Sequence, residues 1–327
     1  MANGKVLRKL IRAGATGDAT AFKKVSEAVI AEERQKQHHL LANDLEKILY
    51  GESAKPSKNA DLPFLPESPV DKERGLPLLD IRQPHRSIEE IILPNDTLQA
   101  VDEFLEENRR CDVLQSYGMK PSSKAIFYGP PGCGKTLTAE VIAFELDLPI
   151  AIVRLDALVS SLLGETAANL RKVFDFIAEN QMVVLFDEFD AIGKERSDST
   201  EHGELRRVVN AVLQMIDAYA GKSIIIAATN HEQILDTAIW RRFDEAMEFP
   251  LPSSEQIKQI LVLKLRGVRR QFEVDSKSLL TTLREKSGAD IERILRRAIK
   301  RMILREQEFL MIKDIKQAAV KDKRNKQ

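Results

Sequence analysis

Apolar and polar positions follow two alternating periods through the middle of this 327-residue chain, and the alternation predicts an α/β domain. Short apolar runs of strand length recur at Ala125–Tyr128, Ile150–Arg154, Met182–Phe186, Ser223–Ala228 and Glu245–Phe249. Segments with helical spacing lie between them, and Glu165–Glu179 is the clearest. Strands alternating with helices predict a doubly wound, mostly parallel sheet covered on both faces. We therefore expect residues 81–252 to form a large α/β subdomain.

Both ends of the chain have a different pattern. After Pro252 the strand pattern nearly stops, and three helical patterns predict a small helical subdomain over residues 253–327. Residues 1–51 have short helical patterns and are expected to form an N-terminal adaptor module. Five of the thirteen prolines fall within residues 52–80, which favours an extended, proline-rich linker.

Composition excludes some classes of protein. Fifty acidic side chains balance fifty basic ones, so overall charge does not direct the chain to nucleic acid or membrane. Its two cysteines, Cys111 and Cys133, do not suggest a disulfide framework and fit a reducing compartment. No apolar run approaches the ~18 residues that span a bilayer, so we expect a cytoplasmic protein.

Charge is unevenly distributed in the last part of the chain. From Lys258 to Gln327 there are 20 Lys and Arg against 9 Asp and Glu. Such an excess is typical of the solvated faces of helices, and it also suits a docking surface for an acidic partner. The sequence leaves both interpretations open.

The run Gly129-Pro-Pro-Gly-Cys-Gly-Lys135-Thr136 is the strongest chemical signal. It follows a predicted strand and opens a helical pattern, which is the context of a phosphate-binding P-loop. Glycines let backbone N–H groups turn inward around an anion. Lys135 can reach the β- and γ-phosphates of a nucleotide, and the Thr136 hydroxyl can bind Mg²⁺. The plain alternative is a glycine-rich turn between strand and helix.

Polar residues close two of the later predicted strands. Asp187 and Glu188 follow an apolar run, and in an open parallel sheet they would face the P-loop phosphates. Asp187 can then hold Mg²⁺, while Glu188 can orient or deprotonate the attacking water. Asn230 closes another apolar run and can bind the γ-phosphate or the water, although an Asn there is often only a turn former.

Arg241 and Arg242 lie side by side just before the last predicted strand. An arginine guanidinium remains protonated and binds phosphoryl oxygens bidentately, so the pair suits the charge of a transition state. Surface ion pairs are the alternative for such a pair.

The order of these parts resembles the AAA family of ATPases over roughly residues 81–320. Asp187-Glu188-Phe-Asp-Ala-Ile192, Ala227-Ala-Thr-Asn230, Arg241-Arg-Phe-Asp244 and Ser287-Gly-Ala-Asp-Ile291 all follow the P-loop in the family's order. The resemblance implies a doubly wound ATPase core with a helical lid, which residues 253–327 would form. It also implies Mg²⁺-dependent ATP hydrolysis and assembly as a homo-oligomeric, normally hexameric, ring. Catalytic roles are implied for Glu188, for Asn230 as sensor of the γ-phosphate, and for Arg241 and Arg242 as arginine fingers toward the neighbouring subunit.

The same resemblance implies a set of cofactor-binding residues, with Thr136 and Asp187 as the metal ligands. These residues are Gly129, Pro130, Pro131, Gly132, Cys133, Gly134, Lys135, Thr136, Leu137, Asp187, Gly288 and Ala289.

Members of the family usually thread polypeptide past a central-loop aromatic. The matching segment here carries Leu162, Leu163 and Gly164, so Leu162 stands where the aromatic is expected. Leucine can still wedge against an extended chain, but it lacks the area and stacking of an aromatic ring.

The short helical leader, the proline-rich linker and the single ATPase module also resemble a bacterial group. Those stand-alone AAA ATPases are encoded beside subtilisin-like serine proteases in phage-defence or plasmid-maintenance modules. Leu7-Arg-Lys-Leu-Ile11 and His39-Leu-Leu-Ala-Asn-Asp-Leu45 in the leader contribute to this similarity. It implies a partner protease and a role in antiviral defence.

Three functions are open from the sequence. The first is an ATP-driven ring that remodels a protein client or partner protease. The second is an antitoxin-like switch whose ATP-dependent assembly holds or releases a partner without threading it. The third, a DNA-loading ATPase, draws on the basic C-terminal region but lacks a nucleic-acid motif.

Overall fold

The computed structural model describes residues 24–27, 29–30, 65–71, 75–158, 163–189, 211–234 and 237–324. They belong to two units, Met1–Phe64 and Leu65–Gln327. In the first unit the described residues, 24–27 and 29–30, are helical. The rest of the predicted adaptor module lies outside the described residues.

Six strands form one sheet in the second unit, in the order β1-β3-β4-β5-β2-β6. The strands are β1 (Leu79–Arg82), β2 (Lys124–Tyr128), β3 (Ile150–Val153), β4 (Val183–Phe186), β5 (Ile224–Thr229) and β6 (Glu245–Glu248). All neighbouring pairs are parallel except β1 and β3, which run antiparallel. The predicted mostly parallel sheet is confirmed, and its five predicted strands lie where they were expected.

The helices of this unit cover the sheet and form the C-terminal lid. They are α1 (Asn95–Arg109), α2 (Cys111–Ser116), α3 (Lys135–Glu145), α4 (Leu155–Leu158), α5 (Leu163–Glu179), α6 (described residues 211–218), α7 (Thr237–Trp240), α8 (Ser254–Lys264), α9 (Lys277–Leu283), α10 (Gly288–Leu304) and α11 (Ile312–Arg324). Within the described ranges, none of the helices has the length and apolar character needed to cross a membrane.

Two hydrophobic layers sandwich the sheet. Along β4, Val184 and Phe186 enter one layer, whereas Val183 and Leu185 enter the other. Because successive side chains of a strand point to opposite faces, a strand buried on both sides reads as a continuous apolar run. This burial explains why the central strands were recognisable in the sequence.

The lid has a hydrophobic core of its own, made by α8, α9, α10 and α11. Ile294 and Leu295 of α10 are buried in it beside Ala318 of α11. Helix α11 was not predicted from the sequence, because its buried positions are partly small alanines between charged residues. Arg293 fixes α11 to α10 because its Nε and Nη2 donate to the Asp322 carboxylate at 2.6 and 2.9 Å.

Strand β1 was not predicted and begins inside the segment expected to be a linker. Leu78 and Leu79 are fully buried, and the Leu79 N–H donates to the Ser68 hydroxyl at 3.0 Å. Asn169 of α5 donates to the Asp71 carboxylate at 3.1 Å. The folded unit therefore extends N-terminally beyond residue 81, where the large subdomain was expected to begin.

The burial of β1 predicts a specific loss of stability. Leu79→Ala should lower the free energy of unfolding by about 2–5 kcal/mol, because it removes a fully buried side chain and leaves a cavity. Leu76→Ala is the matched control, since Leu76 is 37% exposed. Urea denaturation measures both variants. Equal, small losses would mean that β1 does not contribute to the core.

Candidate functional site

The P-loop joins β2 to α3 and requires glycine at two close approaches. Gly129 has φ of 129°, and a Cβ there would overlap the carbonyl oxygen of Phe249 after β6. Gly132 has φ of 74°, and a Cβ there would lie 2.8 Å from the Ser287 Oγ and 2.9 Å from the Ala289 Cβ. The loop can therefore touch both the sheet and the lid only because these positions lack side chains.

Lys135 is a buried cation held by the loop itself. Its Nζ donates to the carbonyl oxygens of Gly129 and Pro130 at 2.6 and 2.9 Å, and the residue is 6% exposed. Lys135 is also the first residue of α3, whose N-terminal N–H groups carry partial positive charge. The ammonium and the helix N-terminus together make this end of the pocket suitable for an anion.

A short hydrogen bond joins the P-loop to the end of β4. The Thr136 hydroxyl donates to the Asp187 Oδ2 at 2.7 Å, and the other carboxylate oxygen accepts from the Glu188 N–H at 2.9 Å. Glu188 has φ of 51°, an uncommon conformation for a residue other than glycine, and its side chain is exposed. The Asp187 carboxylate is therefore held against Thr136, whereas the adjacent Glu188 side chain is exposed.

These groups line one pocket of about 450 Å³, a volume typical of small-molecule sites. Its lid side is fixed by the Ala289 N–H, which donates to the Gly132 carbonyl oxygen at 3.0 Å. The predicted residues in the lining are Pro131, Gly132, Cys133, Gly134, Lys135, Thr136, Leu137, Asp187, Glu188, Asn230, Gly288 and Ala289. Gly129 and Pro130 do not line the pocket, but their carbonyl groups hold Lys135. Burial raises the pKa of the Cys133 thiol, which favours its neutral form.

The apolar walls of the pocket were not predicted from the sequence. Ile91, Ile92 and Leu93 form one wall, while Ile260 and Leu263 of α8 belong to the lid side. Apolar side chains on both sides suit the flat faces of a nucleobase. An apolar triplet directly before Pro94 was the available signal, but it has no characteristic spacing.

Charged residues missed by the sequence analysis also line the pocket. Lys264 of α8 lies 2.7 Å from the Glu292 carboxylate of α10. A hydrogen bond from Lys264 is the largest cause of the lowered pKa of Glu292. Glu292 is therefore held as an anion, and the pair links the two lid helices at the edge of the site.

Arg241 and Arg242 lie outside the pocket of their own chain. They follow α7 and precede the amino end of β6, whereas the P-loop and Asp187 follow the carboxyl ends of their strands. Arg242 donates from Nε to the Asp217 Oδ2 at 2.6 Å, and Arg241 is exposed. One chain thus brings together every predicted catalytic residue except the two arginines.

The predicted central-loop residues fall at the edge of the described chain. Leu162 lies outside the described residues, and α5 begins at Leu163. The side chain of Leu163 and the surroundings of Gly164 likewise belong to the part that is not described.

Comparison with known proteins identifies the family. The model of the "ATPase family associated with various cellular activities (AAA)" matches residues 125–251. An uncharacterized AAA family ATPase of Sinorhizobium fredii is 40% identical over 323 residues, which cover 97% of this chain and 94% of the relative. This chain belongs to the AAA family of ATPases. Membership implies nucleotide binding.

This AAA ATPase is also similar to proteasomal proteins. Two Arabidopsis thaliana relatives, 26S proteasome regulatory subunit 10B homolog A and subunit S10B homolog B, are each 33% identical over 217 residues. The match covers 64% of this chain and 54% of each relative. The similarity to these relatives therefore extends over about half of their length.

The close contact between the P-loop and the lid predicts that a methyl group added at Gly132 weakens nucleotide binding. Gly132→Ala in the AAA ATPase should weaken nucleotide binding by about tenfold or more, a loss of about 1.4 kcal/mol. The added methyl would push Ser287 and Ala289 away from the loop. Titration with a fluorescent ADP analogue measures the affinity.

Gly267→Ala is the matched control for this experiment. Gly267 has φ of 80°, close to that of Gly132, but a Cβ there has no atom within 4 Å. Both variants have similar backbone strain, and the Gly132 variant alone has the clash. Similar affinities in the two variants would contradict a role for close lid contact.

Proposed function

We propose that this AAA ATPase hydrolyses Mg²⁺-ATP in an oligomeric ring and uses that energy to remodel a protein client. One observation carries the proposal. The buried Lys135, the Thr136–Asp187 pair, Glu188, Asn230 and the lid residue Ala289 converge on a single pocket. A phosphate site, a site for a hard cation and a carboxylate base are what ATP hydrolysis requires.

Binding depends on charge and on apolar contact. The P-loop N–H groups and Lys135 bind the phosphates, and the two apolar walls enclose the base. The Thr136 hydroxyl and the Asp187 carboxylate provide oxygen ligands, which Mg²⁺ prefers. When bound, Mg²⁺ offsets the negative charge of the β- and γ-phosphates.

Glu188 is the proposed general base. Its carboxylate is exposed in the pocket lining, and the turn keeps it apart from the metal ligand Asp187. A Glu188 carboxylate oxygen takes a proton from the water that attacks the γ-phosphorus. The bond from that phosphorus to the bridging oxygen breaks, and ADP leaves with the bonding electron pair. Asn230 orients the water or the γ-phosphate.

Arg241 and Arg242 act in the site of a neighbouring subunit. Their position outside their own pocket supports this assignment, since no other predicted catalytic residue lies away from it. A head-to-tail arrangement in which each chain provides arginines to the next closes into a ring, and we propose a hexamer. The similarity to proteasome regulatory subunits supports assembly and work on protein clients.

The client is proposed to be a single partner rather than proteins in general. Residues 1–51 would recruit it, and a subtilisin-like serine protease encoded nearby is the candidate. Bacterial defence against phage is the proposed setting, on the strength of the sequence resemblance.

A switch without threading is a second candidate, and Leu162 is the observation that favours it. A leucine gives a central loop less contact area than an aromatic residue does. In this second function, ATP-dependent assembly holds or releases the partner without threading it. Replacing Leu162 by alanine would then leave both the effect on the partner and the basal ATPase rate unchanged.

Glu188→Gln tests the hydrolytic role. The variant should retain nucleotide binding and hydrolyse ATP about 10²–10⁴-fold more slowly, since it removes the general base. Phosphate release and fluorescent-nucleotide titration measure the two properties. Hydrolysis near the wild-type rate would exclude Glu188 as the base.

Mixing two inactive variants tests the shared site. Arg241→Ala/Arg242→Ala subunits retain their own pocket, and Lys135→Ala subunits retain their arginines. Random rings from equal amounts should have about one competent interface in four, and hydrolysis should recover accordingly. Failure to recover in rings shown to contain both subunits would place the arginines outside the reaction.

A further inference from the structure

We propose that the Lys264–Glu292 pair of the lid binds the sugar of the nucleotide and that Glu292 makes the site selective for ribonucleotides. The Glu292 carboxylate accepts hydrogen bonds from the ribose hydroxyls, and a 2′-deoxynucleotide lacks one of them. This inference rests on the function proposed above and names the substrate class of the same pocket.

Two lid helices bring the pair to the nucleotide pocket. Lys264 is the last residue of α8 and follows Leu263, and Glu292 lies one helical turn after Ala289 in α10. All four residues line the pocket. The Lys264 Nζ lies 2.7 Å from the Glu292 Oε2, so the pair joins α8 to α10 within the lining.

The position of Glu292 along α10 matches the place of the sugar in a bound nucleotide. The Ala289 N–H donates to the Gly132 carbonyl oxygen at 3.0 Å, which fixes the first turn of α10 to the P-loop. Three residues of an α-helix advance by about 4.5 Å, so Glu292 lies one turn farther from the phosphates. The sugar is the part of a nucleotide that directly follows the phosphates. A nucleotide held at the P-loop therefore has its sugar beside Glu292.

The base has a different environment in the same pocket. Its flat faces suit the apolar walls, which are formed by Ile91–Leu93 and, on the lid side, by Ile260 and Leu263. The hydroxyls of a ribose would lose hydrogen bonds to water against such walls, which costs free energy unless polar partners replace the water. Lys264 and Glu292 are polar partners at the lid side of the pocket.

Three other carboxylates line the pocket, and each of them is otherwise placed. Asp187 and Glu188 lie at the phosphate end, where the first accepts from Thr136. Glu90 accepts from the Ser87 N–H at 3.4 Å and lies 3.7 Å from an Arg86 nitrogen. Glu292 is therefore the carboxylate of the lid that is placed for the sugar.

The Glu292 carboxylate is held in position and can still accept hydrogen bonds. Its Oε2 faces Lys264, and its Oε1 accepts from the Arg296 Nη2 at 2.6 Å. An ionised carboxylate has about four lone-pair sites, so each oxygen can accept one more hydrogen bond. Two neighbouring ribose hydroxyls are two donors for these two oxygens, and the Lys264 ammonium can donate to a hydroxyl oxygen in turn. Dinucleotide-binding folds likewise use an Asp or Glu to bind a ribose hydroxyl.

The two cations keep Glu292 in the form that accepts. The hydrogen bond from Lys264, followed by the Lys264 charge and the contacts with Arg296, lowers the pKa of Glu292, although burial opposes this shift. An ionised carboxylate offers no proton, so it attracts donors and repels the phosphate oxygens of a nucleotide. The charge state of Glu292 therefore favours a sugar over a phosphate at this position.

Comparison of ADP with 2′-deoxy-ADP tests the inference. Isothermal titration calorimetry with unlabelled nucleotides measures both dissociation constants, and a diphosphate keeps hydrolysis out of the measurement. The wild-type protein should bind ADP about tenfold more tightly, because 2′-deoxy-ADP loses one hydrogen bond to a charged acceptor. The Lys264 and Glu292 side chains are 30% and 36% exposed, so water offsets part of the loss and keeps the preference moderate.

Variants of Glu292 should change this preference in a graded way. Glu292→Ala should weaken ADP binding more than 2′-deoxy-ADP binding, so that the ratio of the two dissociation constants falls to about one. Glu292→Gln keeps the length and one acceptor oxygen, and it should retain a preference of about threefold, because a neutral acceptor is weaker. Glu255→Ala is the matched control and should keep the wild-type ratio. It breaks another Lys–Glu pair of α8, in which Lys258 lies 3.0 Å from Glu255, outside the pocket lining.

A third nucleotide separates recognition of the sugar from recognition of the base. Inosine diphosphate has the ribose of ADP but carries an oxygen in place of the amino group of adenine. Glu292→Ala should weaken ADP and inosine diphosphate by the same factor. A change in the preference between these two, with the sugar preference unaltered, would assign Glu292 to the base and overturn the inference.

Two further outcomes distinguish this inference from the proposed function. Equal binding of ADP and 2′-deoxy-ADP by the wild-type protein would overturn the inference and leave the proposed function standing. Failure of the wild-type protein to bind any of the three nucleotides would contradict the proposed function itself. Urea denaturation checks that each variant is folded, and the wild-type protein and Glu292→Gln decide the question if Glu292→Ala is not.

Discussion

Parallel pairing of β2, β5 and β4 is the constraint on which the site depends. In the register of the sheet, Phe127 lies opposite Ala228, and Phe186 lies opposite Ala227. Strands β2 and β5 therefore end level with each other, and β4 ends two residues earlier at the same edge. The P-loop, Asp187 and Asn230 leave the sheet there, although more than a hundred residues separate the first from the last. A different register would separate the Thr136 hydroxyl from the Asp187 carboxylate.

The lid completes the pocket through the backbone. Ser287 caps α10 by accepting from the Asp290 N–H, and Ala289 donates to Gly132 of the P-loop. The start of α10 is thus tied to the backbone of the P-loop. The Arg293 bonds to Asp290 and Asp322 extend the same connection to α11. Hydrogen bonds therefore connect the P-loop, α10 and α11 in one continuous series.

Charges are arranged differently inside and outside the pocket. The buried Lys135 ammonium would be costly alone, and the two loop carbonyls offset part of this desolvation. An anionic ligand would offset more. Outside, α1 and α10 carry opposite net charges on exposed surfaces, where charge affects association more than folding. The neutral total of the chain therefore includes a buried cation in one place and opposite local charges in others.

The sequence by itself determined the parts whose signal is local. The four strands β2 to β5 were readable because burial on both faces leaves an apolar run, and the P-loop was readable because its glycines and Lys135 act within one turn of chain. Asp187 and Glu188 followed, since residues at the carboxyl ends of parallel strands share an edge.

Only the tertiary structure decided what depends on distant partners. The apolar walls from Ile91–Leu93 and Ile260 have no spacing that marks them, because their role arises from facing each other across the pocket. Strand β1 is stabilised by antiparallel pairing with β3 and by burial of Leu79, neither of which its short sequence encodes. The sequence predicts a catalytic role for Arg242, yet within a single chain Arg242 forms an ion pair with Asp217. Its distance from its own pocket is set by the fold, because side-chain chemistry is local whereas position is a property of the whole chain.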